Sequence, residues 1–539
     1  MDLLIQELEW GKNNMSDLKD LNNIPSSQFE FANVDEKIHD KKFDTKPVGY
    51  FKDALNRFRK NKASVAAFFI ICLIVLYAII MPFCINDHKK SLMDNVYSKK
   101  APRIEWFADN LGILDGGSTK DYSEKAYIFE LAKGVAAEYD GKKVISLADS
   151  LESKYSPLNK LKAQVVSENV LNKGTLFKAD MDEYLKVGFS YQYLSLDEIK
   201  KLAEWEKETG NQIFYPLIAE NEYNAAPSDA NYWYKSQGGT PVKVINAEEG
   251  IVKKLSYSDD LVLEDNYLRD AEGNLVYQQY TGSGEGHEQY RTRVLYYNYY
   301  YAKHGFRPNY LFGTDAQGYD LAYRVAQGIQ LSIVLALIVS LLNFVIGAIY
   351  GAVEGYYGGK TDLILERVAD ILSGVPFVVA ATLFQLHLAK SVGAIPSLIF
   401  AFVATGWIGT ARRVRTQFYR FKNQEYVMAA KTLGARDRRI IWKHIFPNTL
   451  GTLITSSVLV IPSVIFSESM LSFLGIVSLG GADSTSLGTL LSSASKIWMD
   501  FPHLMLFPAI IISLLMISFN LLGNGLRDAF NPSLRGVDE

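Results

Sequence analysis

Residues 425–450 read EYVMAAKTLGARDRRIIWKHIFPNTL, a polar and strongly basic stretch set between apolar runs at roughly 393–411 and 449–474. Each run is long enough to cross a hydrocarbon core of about 30 Å. Glu425 to Leu433 is built of strong helix formers, and Gly434 can supply the left-handed turn that ends a helix. Ala435 to Phe446 then begins a second short helix, which Pro447 and Asn448 are expected to close. The pattern is helix, glycine corner, helix. Ala429 and Ala430 leave a low-relief surface, Val427, Leu433, Ile440 and Ile441 offer apolar contacts, and arginines surround them. Such a helix suits a groove on a partner. A solvated basic loop accounts for the arginines but not for the glycine corner.

Outward from this loop, the chain alternates membrane-length and polar segments. The run ASVAAFFIICLIVLYAIIMPF at 63–83 follows some 60 largely polar residues, which reads as a signal anchor. Five further runs come at roughly 329–354, 368–389, 393–411, 449–474 and 504–526. Flanking lysines and arginines set orientation. The segment KDALNRFRKNK precedes the first span, and residues 411–444 carry ten basic against two acidic side chains. Six spans with the amino terminus inside make both termini cytoplasmic and put the insert between the first two spans outside. The expected organisation is a cytoplasmic tail at 1–46, an amphipathic helix and first span at 47–84, an extracytoplasmic insert at 85–310, and a membrane core at 311–539 containing the cytoplasmic loop 420–448.

The insert mixes helix and strand signals, an α+β reading. SLDEIKKLAEWEKETGN opens on a capping box, Ser195 to Glu198, and closes on Gly210 and Asn211. LVLEDNYLRDAEGNLVYQQY reads as two strands about a turn at Asp270 to Asn274. The tyrosine-rich RVLYYNYYYAKHGFRPNY fits either interfacial anchoring or a core strand. The only cysteines, Cys72 and Cys84, lie in or beside the first span, so no disulfide staples the insert. It must be held by an ordinary core, and it is expected to fold alone and to dock on an external partner.

Enzyme constellations are absent from the sequence. The seven histidines are scattered, and no H-E-x-x-H, C-x-x-C or G-x-S-x-G occurs. EGYYGGKT at 354–361 misses the phosphate-loop pattern at Glu354 and follows an apolar helix rather than a strand, so a tight turn is the reading. The net charge of −3 carries no nucleic-acid footprint. Gly347, Gly351 and Gly355 recur every four residues, a spacing that lets helices approach closely in lipid. Glu468 is a carboxylate in an otherwise apolar span, expected to face protein or water and to serve helix packing or a polar passage through the spans. Arg415 is expected to be one replaceable basic residue among many.

The 425–450 stretch resembles the EAA loop of ABC importer permeases, E-x-x-x-A-A-x-x-x-G followed by I-x-L-P. Glu425, Ala429, Ala430, Gly434, Ile445 and Pro447 match, with Phe446 in place of leucine. FRKNKASVAAFFIICLIVLYAIIMP, LFGTDAQGYDLAYRVAQGIQLSIV, SESMLSFLGI and FNLLGNGLRDAFNPSLR resemble the OppC/DppC type of oligopeptide/dipeptide permease. Two departures stand out: the long insert, which the family pattern lacks, and GGADSTSLG before the last span.

The resemblance implies a six-span type I importer fold in a bacterial plasma membrane, and therefore contact with membrane lipid. It also implies an OppB/DppB-like second permease, two cytoplasmic ABC ATPases that bind ATP and Mg, and an extracytoplasmic peptide-binding protein. The chain itself would bind no cofactor and hydrolyse nothing. Its six matched residues would form the ATPase-coupling loop. The same motifs serve dipeptide, oligopeptide and nickel-chelate importers, so they leave the cargo open. A membrane-anchored receptor is the rival reading, but a receptor needs one or two spans rather than six around a coupling loop.

Overall fold

The computed structural model describes residues 50–138, 144–146, 153–158, 165–168, 175–224, 228–246, 248, 251–256, 262–282, 288–479 and 485–530. The expected tail at 1–46 and the start of GGADSTSLG lie outside the described residues. The chain divides into compact units at 1–56 and 57–539. The elements from Lys62 onward belong to the second.

α1, Lys62–Cys84, is the first apolar helix, entered through an Asn61 side-chain cap on the Ser64 amide. The insert contributes α2, Leu196–Thr209, and α3, Tyr296–His304. α4, Leu321–Tyr357, is 37 residues long, about 55 Å at 1.5 Å per residue, and starts on Asp320 as N-cap. α5, Gly359–Ser373, and α6, Phe377–His387, meet at a 74° bend. α7, Ala394–Gly406, runs on into α8, Ile408–Phe421, as one 28-residue membrane-length helix. After the short α9, Glu425–Thr432, come α10, Phe446–Val458, and α11, Val460–Phe473, the end of a helical run that begins at Asp437. α12, Pro502–Phe530, is the last. Five of these helices or runs are long and apolar enough to cross a membrane, or six if the bent pair is one span.

Six spans were the expectation, and the third of them is bent. Residues 368–389 are not one straight helix, because Pro376 has no N–H to continue the ladder of α5 and instead caps α6. The long helices share one core, in which Ile71 and Ile74 of α1 meet Val325 and Ile329 of α4, Ile465 of α11 and Leu515 of α12.

The described insert is built of antiparallel strands and helices. Gly117–Ser123 pairs with Thr175–Asp182, which also takes Val165–Glu168. Tyr290–Leu295 lies between Phe189–Leu194 and Gln278–Tyr280. The capping box at Ser195 and Glu198 is formed, and Gly210 ends α2 at φ 68°. Asp270 closes its turn by accepting from the Glu272 and Asn274 amides. The two strands about that turn do not mainly pair with each other. Val262–Glu264 joins Val144–Ser146, and Gln278–Tyr280 joins Tyr290–Leu295. Tyrosines from the tyrosine-rich tail are internal: Tyr296, Tyr299, Tyr300 and Tyr310 pack with Tyr97 and Tyr184. Arg293 is fully buried with no carboxylate partner among the described residues, donating to the Ala230 and Pro216 carbonyls and stacking on Phe189. Carbonyls and an aromatic face replace the water that the guanidinium loses.

Arg103 and Tyr310 form an isolated antiparallel bridge, each amide donating to the other's carbonyl at 2.9 Å. Residues 94–103 are laced to 310–320 beyond it: the Lys100 amide donates to Thr314 Oγ1, and the Lys99 amide to the Asp315 carbonyl. The chain therefore leaves the membrane part and returns to it at adjacent points.

Candidate functional site: the loop at 420–448

Gly434 has φ 79°, and the bonds around it form a Schellman cap. The Ala435 amide donates to the Ala430 carbonyl, and the Gly434 amide to that of Lys431. Around the corner, helix resumes at Asp437 and widens to a π turn over Ile440–Ile445. Pro447 and Asn448 do not close this helix, contrary to the sequence expectation. Pro447 sits in the first turn of α10, a position that tolerates a missing N–H, and the helix continues to Val458. The widened turn stands where the proline's hydrogen bond is missing. Asn448 Nδ2 donates to the His444 carbonyl and to the Tyr426 hydroxyl, tying the returning helix to α9.

Exposure divides the matched residues. Glu425, Ala429, Gly434 and Pro447 are exposed and Ala430 is half-buried, whereas Ile445 is fully buried. Of the four apolar residues expected at the surface, only Leu433 is there, at 88% exposure. Val427, Ile440 and Ile441 turn inward with Ile445 onto Val414 and Phe418 of α8. They hold the corner to its own subunit. Met428, Tyr426 and Trp442 are exposed instead, and the sequence reading missed them. Counting faces from Val427 as an inward residue would have found Met428, its neighbour one helical step away.

The corner stands on a tightly packed pair of helices. A β-carbon on Gly347 would lie 2.7 Å from Thr410 Cβ and from the Trp407 carbonyl oxygen. One on Gly351 would collide with the Ala411 carbonyl, and one on Gly355 would lie 2.7 Å from Phe418 Cβ. The three glycines are thus the contact face of α4 against α8, a packing role. Beside them, Arg415 donates to both oxygens of Asp362, at 2.6 and 2.8 Å, and pairs with Glu354 at 3.4 Å and Glu366 at 3.2 Å. Arg412 bridges Glu366 and Asp370. Arg415 is therefore the hub joining α4, α5 and α8, not one interchangeable positive charge. Glu354 and Gly355 lie in the last turn of α4, and Gly358 at φ 65° and Gly359 at φ 55° make the turn of EGYYGGKT.

Glu468 lies elsewhere, fully buried on α11. Ser332 of α4 donates to its Oε2 at 2.9 Å and Ser472 to its Oε1 at 3.0 Å. It faces protein and links two helices; the structure does not bring it to the loop. Among the described residues no group of three or more metal-ligating side chains occurs.

A helical membrane subunit with an exposed, stiffly mounted corner between its spans is the class these features define. A family model described as the binding-protein-dependent transport system inner membrane component matches residues 351–536, and the N-terminal TM domain of oligopeptide transport permease C matches 49–102. The oligopeptide transport system permease protein OppC of Bacillus subtilis is 40% identical over 42% of this chain and 72% of its own length. The dipeptide transport system permease protein DppC of the same organism is 42% identical over 42% of this chain and 69% of its own. OppC of Escherichia coli is 39% identical over 42% and 72%. The chain belongs to the OppC/DppC family of binding-protein-dependent transport permeases, and is a multi-pass inner-membrane protein. A solved structure of the MetNI methionine ABC transporter aligns over 39% of this chain and 97% of its own at 15% identity, with a TM-score of 0.33.

Proposed function

We propose that this chain is one of two permease subunits of a peptide importer and forms half of its pathway. Both termini and the 420–448 loop face the cytoplasm, two ATPases that bind ATP and Mg dock beneath, and a binding protein delivers peptide from outside. The observation that carries the coupling role is the Schellman corner, with Ala429, Leu433 and Gly434 exposed beyond the inward anchors Val427 and Ile445. Anchored on α8, the corner transmits a push from a docked ATPase to the spans instead of absorbing it. The coupling is then a free energy shared between the nucleotide site and the pathway.

No atom lies within 4 Å of a β-carbon built on Gly434, so this subunit has room for a side chain there. Gly434→Asp should therefore insert and express with only the backbone penalty of roughly 1 kcal/mol. Docked, the same charge would be buried without a partner. Complexes carrying Gly434→Asp or Ala430→Asp should lose ATPase subunits on purification, or keep them and lose peptide uptake in vesicles. Wild-type retention together with wild-type uptake in both would remove the coupling role.

A further inference from the structure

Three lysines of the insert converge on one carboxylate. Lys120, on the strand Gly117–Ser123, and Lys186, just past the strand Thr175–Asp182, stand 3.7 and 3.8 Å from Glu183 Oε1, and Lys100 stands 3.9 Å from Oε2. An ammonium committed to a carboxylate donates at about 2.7–2.9 Å. All three stand farther off, and the close donor to Glu183 is the Ser118 hydroxyl. Neighbouring charges are matched elsewhere, Lys133 with Glu130 at 2.9 Å and Arg103 with Asp182 at 3.2 Å. Close by is Lys99, held at φ 60° with its amide on the Asp315 carbonyl, and it forms no ion pair among the described residues. Four ammoniums, with three donors each, therefore have one carboxylate among them. Lys186 gives one donor to the Tyr122 hydroxyl.

The place of the cluster selects the anion. Lys99 and Lys120 Nζ lie 5.8 and 5.9 Å from the centre of the Phe501 ring. Phe501 directly precedes α12 and packs on the long-helix core, so the two ammoniums stand one ring away from the membrane part. Trp498 and Met499 beside it are exposed, and tryptophan favours the depth of the lipid headgroups. Asp500, the carboxylate next to Phe501 in sequence, is exposed and pairs with neither lysine. A dissolved anion would use the lysines alone, whereas Phe501, Trp498 and Met499 add an apolar seat for acyl chains. We propose that Lys99, Lys100, Lys120 and Lys186 form a binding site for the phosphate of an anionic phospholipid on the insert side of the membrane. Lys99 and Lys120, the pair over Phe501, take the phosphate oxygens as point charges, and Lys100 and Lys186 supply the positive field around them. The site needs only the spans and the insert, and so stands independently of the transport reading.

The test places the full chain in nanodiscs of phosphatidylcholine doped with a phosphatidylglycerol that carries a photoreactive diazirine in its headgroup. After irradiation, labelled peptides are mapped by mass spectrometry. Labelling is expected on the peptides holding Lys99, Lys120 and Trp498, displaced by unlabelled phosphatidylglycerol and unmoved by inorganic phosphate at equal ionic strength. Lys99→Ala combined with Lys120→Ala should lower that labelling at least fivefold, while labelling elsewhere on the chain stays at its wild-type level and so excludes misfolding. Lys99→Arg combined with Lys120→Arg keeps both charges and should retain the labelling. Lys178→Ala, which removes an exposed lysine outside the cluster, should change nothing. Undiminished labelling in the double-alanine variant, an equal fall in the double-arginine variant, or an equal fall in Lys178→Ala would each overturn the proposal. Displacement by inorganic phosphate as strong as by unlabelled lipid would overturn it too, by showing a site for a dissolved anion.

Discussion

Glu468 shows what a single buried carboxyl does in a membrane helix. Its oxygens accept from Ser332 on one helix and Ser472 on its own, so it joins α4 to α11 rather than facing lipid. Glutamine keeps the size and an acceptor, and serine hydroxyls can turn to accept from its amide. Glu468→Gln should therefore assemble normally, and any change in its vesicle uptake reports a need for the acid itself. Glu468→Leu orphans the buried hydroxyls, about 1–3 kcal/mol, and should lower the yield of purified complex; a normal yield would show the link to be dispensable. Arg415 sits at the same scale. Its loss leaves Glu354, 1% exposed, and Asp362 without their cation. Hydrogen bonds to charged groups contribute about 1.5–3 kcal/mol each. Arg415→Ala should lower the thermal midpoint of the detergent-solubilised protein by several degrees, with Arg415→Lys in between because it loses the bidentate geometry. The mild effect expected of a replaceable loop charge would show instead as an unchanged midpoint.

At the scale of elements, the contact of α4 with α8 depends on the absence of side chains. Helices in lipid associate through close packing rather than through water exclusion. Gly351→Val would place methyl groups where the Ala411 carbonyl already stands, and backbone cannot move aside as a flexible side chain can. The helices must separate, carrying with them the Phe418 and Val427 packing under the corner. Loss of monodisperse protein on size exclusion is the expected outcome for Gly351→Val. Gly359→Ala, in a turn with nothing within 4 Å, should stay monodisperse, with only a backbone penalty of about 1 kcal/mol at its positive φ. Equal behaviour of the two would mean that the glycine stripe is not a contact face.

For the whole molecule, the paired amides of Arg103 and Tyr310 define where the insert is grafted. Opposed residues in such a pair lie about 5.5 Å apart, so two glycines can join them after residues 104–309 are excised. The shortened chain should reach the membrane and retain the ATPases, because the long-helix core draws no described residue from the excised stretch. It will be less stable, since Tyr97 and Tyr310 lose the cover of Tyr184 and Tyr300. Degradation of the shortened chain in membrane fractions would show instead that the insert is needed for the permease to fold.

Hydropathy and local chemistry were sufficient for the apolar segments, the α2 capping box and the glycine corner, because each depends on residues within a few positions of one another. The capping box needs only Ser195 and Glu198, and the left-handed turn only Gly434. Which face of α9 turns inward depends on Val414 and Phe418, which lie on another helix. The role of Arg415 depends on Asp362, fifty-three positions away. The lysine cluster draws on Lys99, Lys120 and Lys186, residues with no spacing in common. Tertiary structure alone decided these, because a side chain's partner across a fold is set by packing, and packing leaves no local period to read.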